Sequence, residues 1–245
     1  MHGGAVLAVP VHALRAEVQM ADEVGGASLA LVRAAFARVG ETRHAEWGSE
    51  IPRSVGLAGS SALVIAALRA SGRAPADPFE LAELALSIER DDLGIPGGLQ
   101  DRAVQAFDAP VFVDAAVGAV TPFRPGGPLT FVVAWDPSAA ADSGDYHRAL
   151  SPDPAGMDAL ARVARAAADA FVDGDVDALE EAMDASARIR ERVAPLSASH
   201  NALTDHVRAF GLCPNSTGSG GAVIALLRGD APRLAFPHVV CSFEP

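Results

Sequence analysis

Apolar positions recur along the chain in two separable ways, at helical period in some stretches and in short runs or alternation in others. From Ser28 to Val39 the residues Leu29, Val32, Ala35, Phe36 and Val39 fall on one helical face, and Gly40 supplies a stop. Ser60 to Ala70 is almost wholly apolar and predicts a buried helix. Asp77 predicts the N-cap of a helix that opens with Pro78 and runs to about Arg90. A short helix is expected from Leu99 to Phe107, and three more by period from Ala155 to Val172, Asp175 to Val193 and Ser199 to Phe210. One or two strands are expected between Ala5 and Met20, then Val111 to Asp114, Val117 to Phe123, Leu129 to Trp135, Ala222 to Leu227 and Val239 to Phe243. Glycine-punctuated loops separate them at Ile51 to Gly59, Leu93 to Gly98 and Pro214 to Gly221, and the stretch Asp136 to Ser151 is polar and irregular. The pattern is α+β, with a change of character near Asp136 that reads as a mobile loop or domain junction.

Composition narrows what such a chain can do. It has 245 residues, 50% hydrophobic and 20% charged, enough for one large domain or two small ones with a substantial core. Aromatics are only 5%, so small aliphatic side chains should build that core. The formal net charge of −12 opposes nucleic acid and anionic membrane as partners, while leaving room for a nucleotide held by local donors and a metal. Cys213 and Cys241 lack metal-ligand spacing, and the seven histidines show no HExxH or other ligand spacing, which argues against zinc. Neither a signal peptide nor an apolar stretch of membrane-spanning length is visible, so a soluble, cytoplasmic protein is expected.

The segment Ile51-Pro-Arg-Ser-Val-Gly-Leu-Ala-Gly-Ser-Ser-Ala-Leu carries the strongest chemical signal. Gly56 and Gly59 let backbone approach a ligand closely, and the following helix opens with unpaired amides and a positive dipole end suited to phosphate. Ser60 and Ser61 could cap that helix or reach a metal. An ordinary loop with a serine N-cap also accounts for these residues. The common P-loop lysine pattern is absent. A second segment, Glu89-Arg-Asp-Asp-Leu-Gly-Ile-Pro-Gly-Gly-Leu-Gln-Asp101, sets one carboxylate at a helix end and another near the next helix start. Phosphoryl transfer needs such a pair, one acid for a metal and one for the nucleophile's proton, although caps and solvated charges are the simpler reading. A third, Asn215-Ser-Thr-Gly-Ser-Gly-Gly-Ala-Val-Ile-Ala-Leu, places glycines before an apolar strand and is equally compatible with a structural turn.

Together, in this order and at these intervals, the three segments resemble the motifs of the GHMP kinases, and Ile51-Pro52-Arg53 with Gly56-Leu57 is especially similar to the glucuronokinase-like sugar 1-kinases. The resemblance implies a two-lobed α+β fold, a ribosomal-protein-S5-like lobe over residues 1–140 and a ferredoxin-like lobe over 141–245, with ATP and Mg2+ between them. It implies that Gly56, Leu57, Gly59, Ser60 and Ser61 wrap the ATP phosphates, with Arg53 either joining them or remaining a solvated loop residue. Ser61 and Glu89 would hold magnesium, Asp101 would be the catalytic carboxylate, and Thr217, Gly218, Ser219 and Gly220 would close the site near the substrate and terminal phosphate. The implied substrate is a sugar or sugar acid, phosphorylated at its anomeric hydroxyl.

Two departures qualify this. Many relatives carry a lysine at or beside the position of Asn215, and its absence leaves the third loop without that charge. The opening Met1-His2-Gly3-Gly4-Ala5-Val6 is similar only to the end of the family's first motif, so an N-terminally truncated version is expected, with a second subunit (a homodimer), a rearranged N-terminus or nothing in place of the missing strand. The rival readings are a non-catalytic nucleotide- or sugar-binding relative and a kinase of another small alcohol. Asp142-Ser-Gly-Asp-Tyr-His147-Arg is similar to a substrate-contacting segment of glucuronokinase-like proteins, or is simply a polar loop.

Overall fold

The computed structural model describes residues 4–21, 29–139, 154–193 and 196–245. The Asp142–Arg148 segment and most of the polar stretch around it lie outside these. In chain order the elements are β1 (Ala5–Ala8), β2 (Ala16–Ala21), α1 (Ala30–Arg38), β3 (His44–Ser49), α2 (Gly59–Ala70), α3 (Pro78–Ser87), a π-helical turn (Ile88–Asp92) and α4 (Gln100–Phe107). Then follow β4 (Val111–Asp114), β5 (Ala119–Pro122), β6 (Leu129–Trp135), a 3-10 turn (Pro137–Ala139), α5 (Pro154–Asp173), α6 (Val176–Val193), α7 (Ala198–Arg208), β7 (Asn215–Ser216), β8 (Ala222–Leu226) and β9 (His238–Phe243). Each expected helix and strand among these residues forms within a few positions of its predicted bounds. The strand β3 and the short β7 are additional. No helix among the described residues is long and apolar enough to cross a membrane.

The chain divides into two compact units, one comprising residues 8–52 and 58–111, the other most of β1, residues 53–57 and the chain from 112 onward. In the first, α2 is the central element and packs against α1, α3, α4 and β2. Its buried residues Leu63, Val64, Ile65, Ala67 and Leu68 run round much of the helix, as expected for a helix covered on several sides. Ala35, Ala67, Ala82, Ala85 and Ala103 are all fully buried, and such small side chains let helices approach closely. β2 and β3 pair antiparallel, Ala16 opposite Ser49 and Ala21 opposite His44. Asp77 caps α3 as its sequence predicts, its side chain accepting from the Glu80 amide, with Pro78 at the first turn.

The second unit holds a three-stranded sheet in the order β1-β4-β5 and a four-stranded sheet in the order β7-β8-β6-β9. β6 pairs antiparallel with both β8 and β9, in register Phe131 with Leu226 and with Cys241. One face of this sheet contributes Val132, Ala134, Val223 and Ala225 to a cluster with Leu203 and Val207 of α7. The other presents Phe131 and Phe243 to Phe171 of α5. Burial on both faces explains why β6 reads as an apolar run and not as an alternation. The buried core is mostly Ala, Val, Leu and Ile, as the composition leads one to expect, with one aromatic cluster set within it. Phe171 is fully buried, with ring centroids of Phe123, Phe243 and Phe131 at 5.3, 6.0 and 6.4 Å. Few aromatics suffice when they meet at one point.

Phe171→Ala should therefore cost about 3–5 kcal/mol of unfolding free energy, as is usual for truncating an enclosed aromatic. Chemical denaturation checks this. A loss below about 1 kcal/mol would mean that the cluster does not hold the unit together.

Candidate functional site

The loop before α2 reaches its helix through strained backbone. Ser54 and Ala58 adopt left-handed conformations at φ 59° and 56°, which cost non-glycine residues about 1–3 kcal/mol each and gather at functional sites. Ala58, not a serine, is the N-cap of α2, and no side chain caps the helix. Ser60 and Ser61 thus do not cap, and both lie in the first turn. That turn contains no acidic residue, so its amides and the positive dipole end keep their attraction for an anion. The Ala58 carbonyl is fixed from α4, where Gln105 Nε2 donates to it at 3.1 Å.

Ser61 faces the acids of the second segment. Glu89 sits in the π-helical turn at the end of α3, on the same face as buried Leu81, Ala82, Ala85 and Ile88. It is fully buried, which excludes the simpler reading of this acid as a solvated charge. Asp91 and Asp92 do fit that reading, pairing near the surface with Arg90 and Arg38. One Glu89 oxygen, Oε1, lies 3.5 Å from Ser61 Oγ. The other, Oε2, accepts from Arg102 Nε at 2.7 Å. Arg102 also donates through Nη1 to the Gly98 carbonyl at 2.9 Å and lies 3.4 Å from Asp101 Oδ2. Asp101, in the first turn of α4, keeps 36% of its side-chain exposure. Burial raises its pKa above the ordinary carboxylate value; Arg102 opposes the rise and Glu89 adds to it. The first unit thus brings Ser61, Glu89 and Asp101 together through one arginine.

Arg102 was not among the expected site residues. Its signal was nevertheless present, since it falls three residues after Leu99 and four before Ala106, on the buried stripe of α4. A cation there needs an acid beside it.

The second unit holds the other predicted group. Gly56 has φ 78° and lies so close to the third loop that an added Cβ would sit 2.5 Å from the Thr217 carbonyl oxygen. Reciprocally, a Cβ on Gly218 would meet the Gly56 carbonyl oxygen at 2.8 Å. Two glycine loops far apart in sequence therefore pack backbone against backbone. The Thr217 hydroxyl donates to the Ala222 carbonyl at 3.3 Å and so helps shape its own loop. Arg53 and Leu57 belong to this neighbourhood through the chain, Arg53 being exposed.

Two residues that sequence reasoning missed hold this loop. Arg190 of α6 donates to the Ser216 and Gly218 carbonyls at 2.8 and 2.6 Å, and so brings a positive charge to a loop whose sequence has none. His200 of α7, 2% exposed, accepts at Nδ1 from the Gly221 amide at 2.9 Å and meets Ser216 Oγ at Nε2 at 2.8 Å. Because Nδ1 accepts, the neutral ring carries its proton on Nε2 and donates it to the serine. Burial, then Arg190, push the His200 pKa down to about 4.

Among the described residues no three His, Cys, Asp or Glu side chains converge on a metal site. Ser61 Oγ and Glu89 Oε1 still fit magnesium, which is commonly bound by one or two protein oxygens and completed by phosphates and water.

Residues 24–109 match the family described as "GHMP kinases N terminal domain". Over 208 residues the chain is 31% identical to glucuronokinase 1 of Arabidopsis thaliana, covering 73% of this chain and 55% of that protein. The chain thus spans about half the length of this relative. In three dimensions it is similar to the phosphomevalonate kinase of Streptococcus pneumoniae in complex with phosphomevalonate and AMPPNP, with a TM-score of 0.74 at 15% identity over 94% of this chain and 87% of that one. It is also similar to the galactokinase of Lactococcus lactis complexed with galactose, with a TM-score of 0.71 at 12% identity over 99% and 88%. At these identities the structures bear out the α+β, two-lobed fold and nothing finer.

His200 makes stability depend on pH. Its folded pKa of about 4 lies below the unfolded value of about 6.5, so the unfolded chain takes up the proton first. Stability is full above that unfolded value and declines as pH falls from about 6.5 towards 4, by up to about 1.4 kcal/mol per pH unit. Denaturation midpoints across this window should fall less steeply for His200→Gln than for the wild type. Parallel curves would show that the ring does not stay neutral in the fold.

Proposed function

We propose, for a chain that belongs to the GHMP kinase superfamily, that it transfers the γ-phosphoryl group of ATP to a hydroxyl of a sugar or sugar acid, the anomeric hydroxyl of a uronic acid or hexose being the acceptor. The observation that carries the reading is the pair of carboxylates bridged by Arg102, one turned towards Ser61 and the other at the solvent edge. Transfer of this kind asks little covalent chemistry of a protein and much positioning.

In this reading the uncapped first turn of α2, with Ser60 and Ser61, donates amides and hydroxyls to the nucleotide phosphates. Ser61 Oγ and Glu89 Oε1 hold magnesium, which when bound withdraws charge from the phosphate oxygens. Asp101 orients the acceptor hydroxyl and takes its proton. Gly56 and the loop Thr217 to Gly220 offer main chain to the terminal phosphate or sugar, with Arg190 as the cation of that loop. An acidic sugar suits the reading because the loop is served by arginine while the protein as a whole is anionic.

ATP consumption screened across uronic acids, hexoses and small alcohols identifies the acceptor. Asp101→Asn should lower kcat by about 10²–10⁴-fold, the usual contribution of a positioned base, while leaving nucleotide affinity nearly unchanged. Because burial raises the Asp101 pKa, the acidic limb of the kcat/KM profile should lie above the ordinary aspartate value of about 3.9. Retained turnover in the asparagine variant would remove Asp101 from the chemistry.

A further inference from the structure

The buried arginine and the glycine loop before it are parts of one device. Arg102 has a side chain only 3% exposed, and its guanidinium has three neighbours that accept or attract it: Glu89 Oε2, the Gly98 carbonyl and Asp101 Oδ2. It cannot swing into solvent without abandoning a fully buried carboxylate. Directly against it lies Gly97. A Cβ added there would meet Nη1, Nη2 and Cζ of Arg102, all within 2.8 Å. Gly97 is not among the glycines with positive φ, so a left-handed backbone is not what calls for glycine there. The space that a methyl group would need is taken by the guanidinium.

From this we infer that Arg102 is a positioning residue that aims Glu89 and Asp101 together, and that Gly97 is a glycine in order to admit its guanidinium, not to approach a phosphate. The inference rests on the proposed roles of Glu89 and Asp101. Held by Nε at Oε2, Glu89 keeps Oε1 turned towards Ser61. The same guanidinium, reaching Asp101 from Nη1, fixes the distance between the two acids. Supporting partners of this kind are typically worth about 10–100-fold in metal affinity or activity. The arrangement also separates the glycine loops by purpose. Gly56 and Gly218 make room for main chain, whereas Gly97 makes room for a side chain.

A double-mutant cycle over Gly97→Ala and Arg102→Met tests this. Each single variant should lower kcat about 10–100-fold with KM for ATP changed less than about threefold. The double variant should be no worse than Arg102→Met alone, because no guanidinium remains for the alanine to displace. Arg102→Lys, able to reach Glu89 but not all three acceptors, should fall between wild type and Arg102→Met. Effects that multiply would show that Gly97 serves something other than Arg102. A raised KM with unchanged kcat would show that Arg102 binds and does not position.

If Arg102→Met fails to fold, Gly97→Ala and Arg102→Lys still carry the kinetic comparison, and Gly97→Ala combined with Arg102→Lys should be no worse than Arg102→Lys alone, since the guanidinium is again gone. The cycle is also read in the denaturation midpoint, where coupling supports the inference and strict additivity overturns it. A wild-type protein that turns over no sugar would sink the kinase reading, while the coupling of positions 97 and 102 would be decided separately by that midpoint.

Discussion

A carboxylate without solvent must have partners, and the first unit is arranged round that demand. Glu89 is fully buried, on a helix face otherwise made of Leu81, Ala82, Ala85 and Ile88. Left alone it would be an uncompensated buried charge, and removing one member of a buried pair usually costs about 3–5 kcal/mol. Arg102 meets the demand from α4, and in doing so joins the end of α3 to the start of α4. The same cation then draws in Asp101 and the Gly98 carbonyl. Two acids close to each other are tolerable because a guanidinium stands between them. A buried pair of this sort is weak support for stability, and its effect here is to give both acids one shared partner.

The second unit solves a different problem, holding a partly buried glycine loop in one shape, with Gly218 at its exposed tip. Gly56 and Gly218 interlock through main chain, which leaves no side chain to specify the contact. Specificity comes from behind. Arg190 secures two carbonyls of the loop, and His200 takes the Gly221 amide on one nitrogen and Ser216 on the other. The histidine is effective because it is neutral, and it is neutral because it is buried beside a cation. Loop and support come from segments that have no resemblance to one another in pattern.

Much of this was legible in the sequence. The period of apolar residues located the helices, Asp77-Pro78 announced α3, and three glycine motifs in order pointed to this superfamily. Ser61, Glu89 and Asp101 do converge, and Gly56 does meet Thr217 and Gly218. The residues behind them were hidden for a physical reason. Arg102 reaches Glu89 13 positions back, and Arg190 and His200 reach loop partners 16 to 28 positions on, pairings that periodicity does not encode. Of the two roles open to Ser60 and Ser61, capping is excluded because Ala58, in a left-handed conformation that propensity disfavours, takes the N-cap position. The phenylalanine cluster was missed because a percentage says nothing about where residues meet.

The central position of β6 has a consequence for biosynthesis. This strand needs β8 on one side and β9 on the other, and its partners at Leu226 and Cys241 lie roughly a hundred residues downstream. At about 5–20 residues per second, a ribosome takes on the order of 5–20 s to supply them. Through that interval the nascent chain carries Leu-Thr-Phe-Val-Val-Ala-Trp with both edges open, a segment free of charge and proline that could pair with another chain. Yield in a recombinant host should therefore respond to growth temperature and chaperone supply more than to the marginal stability of the finished fold.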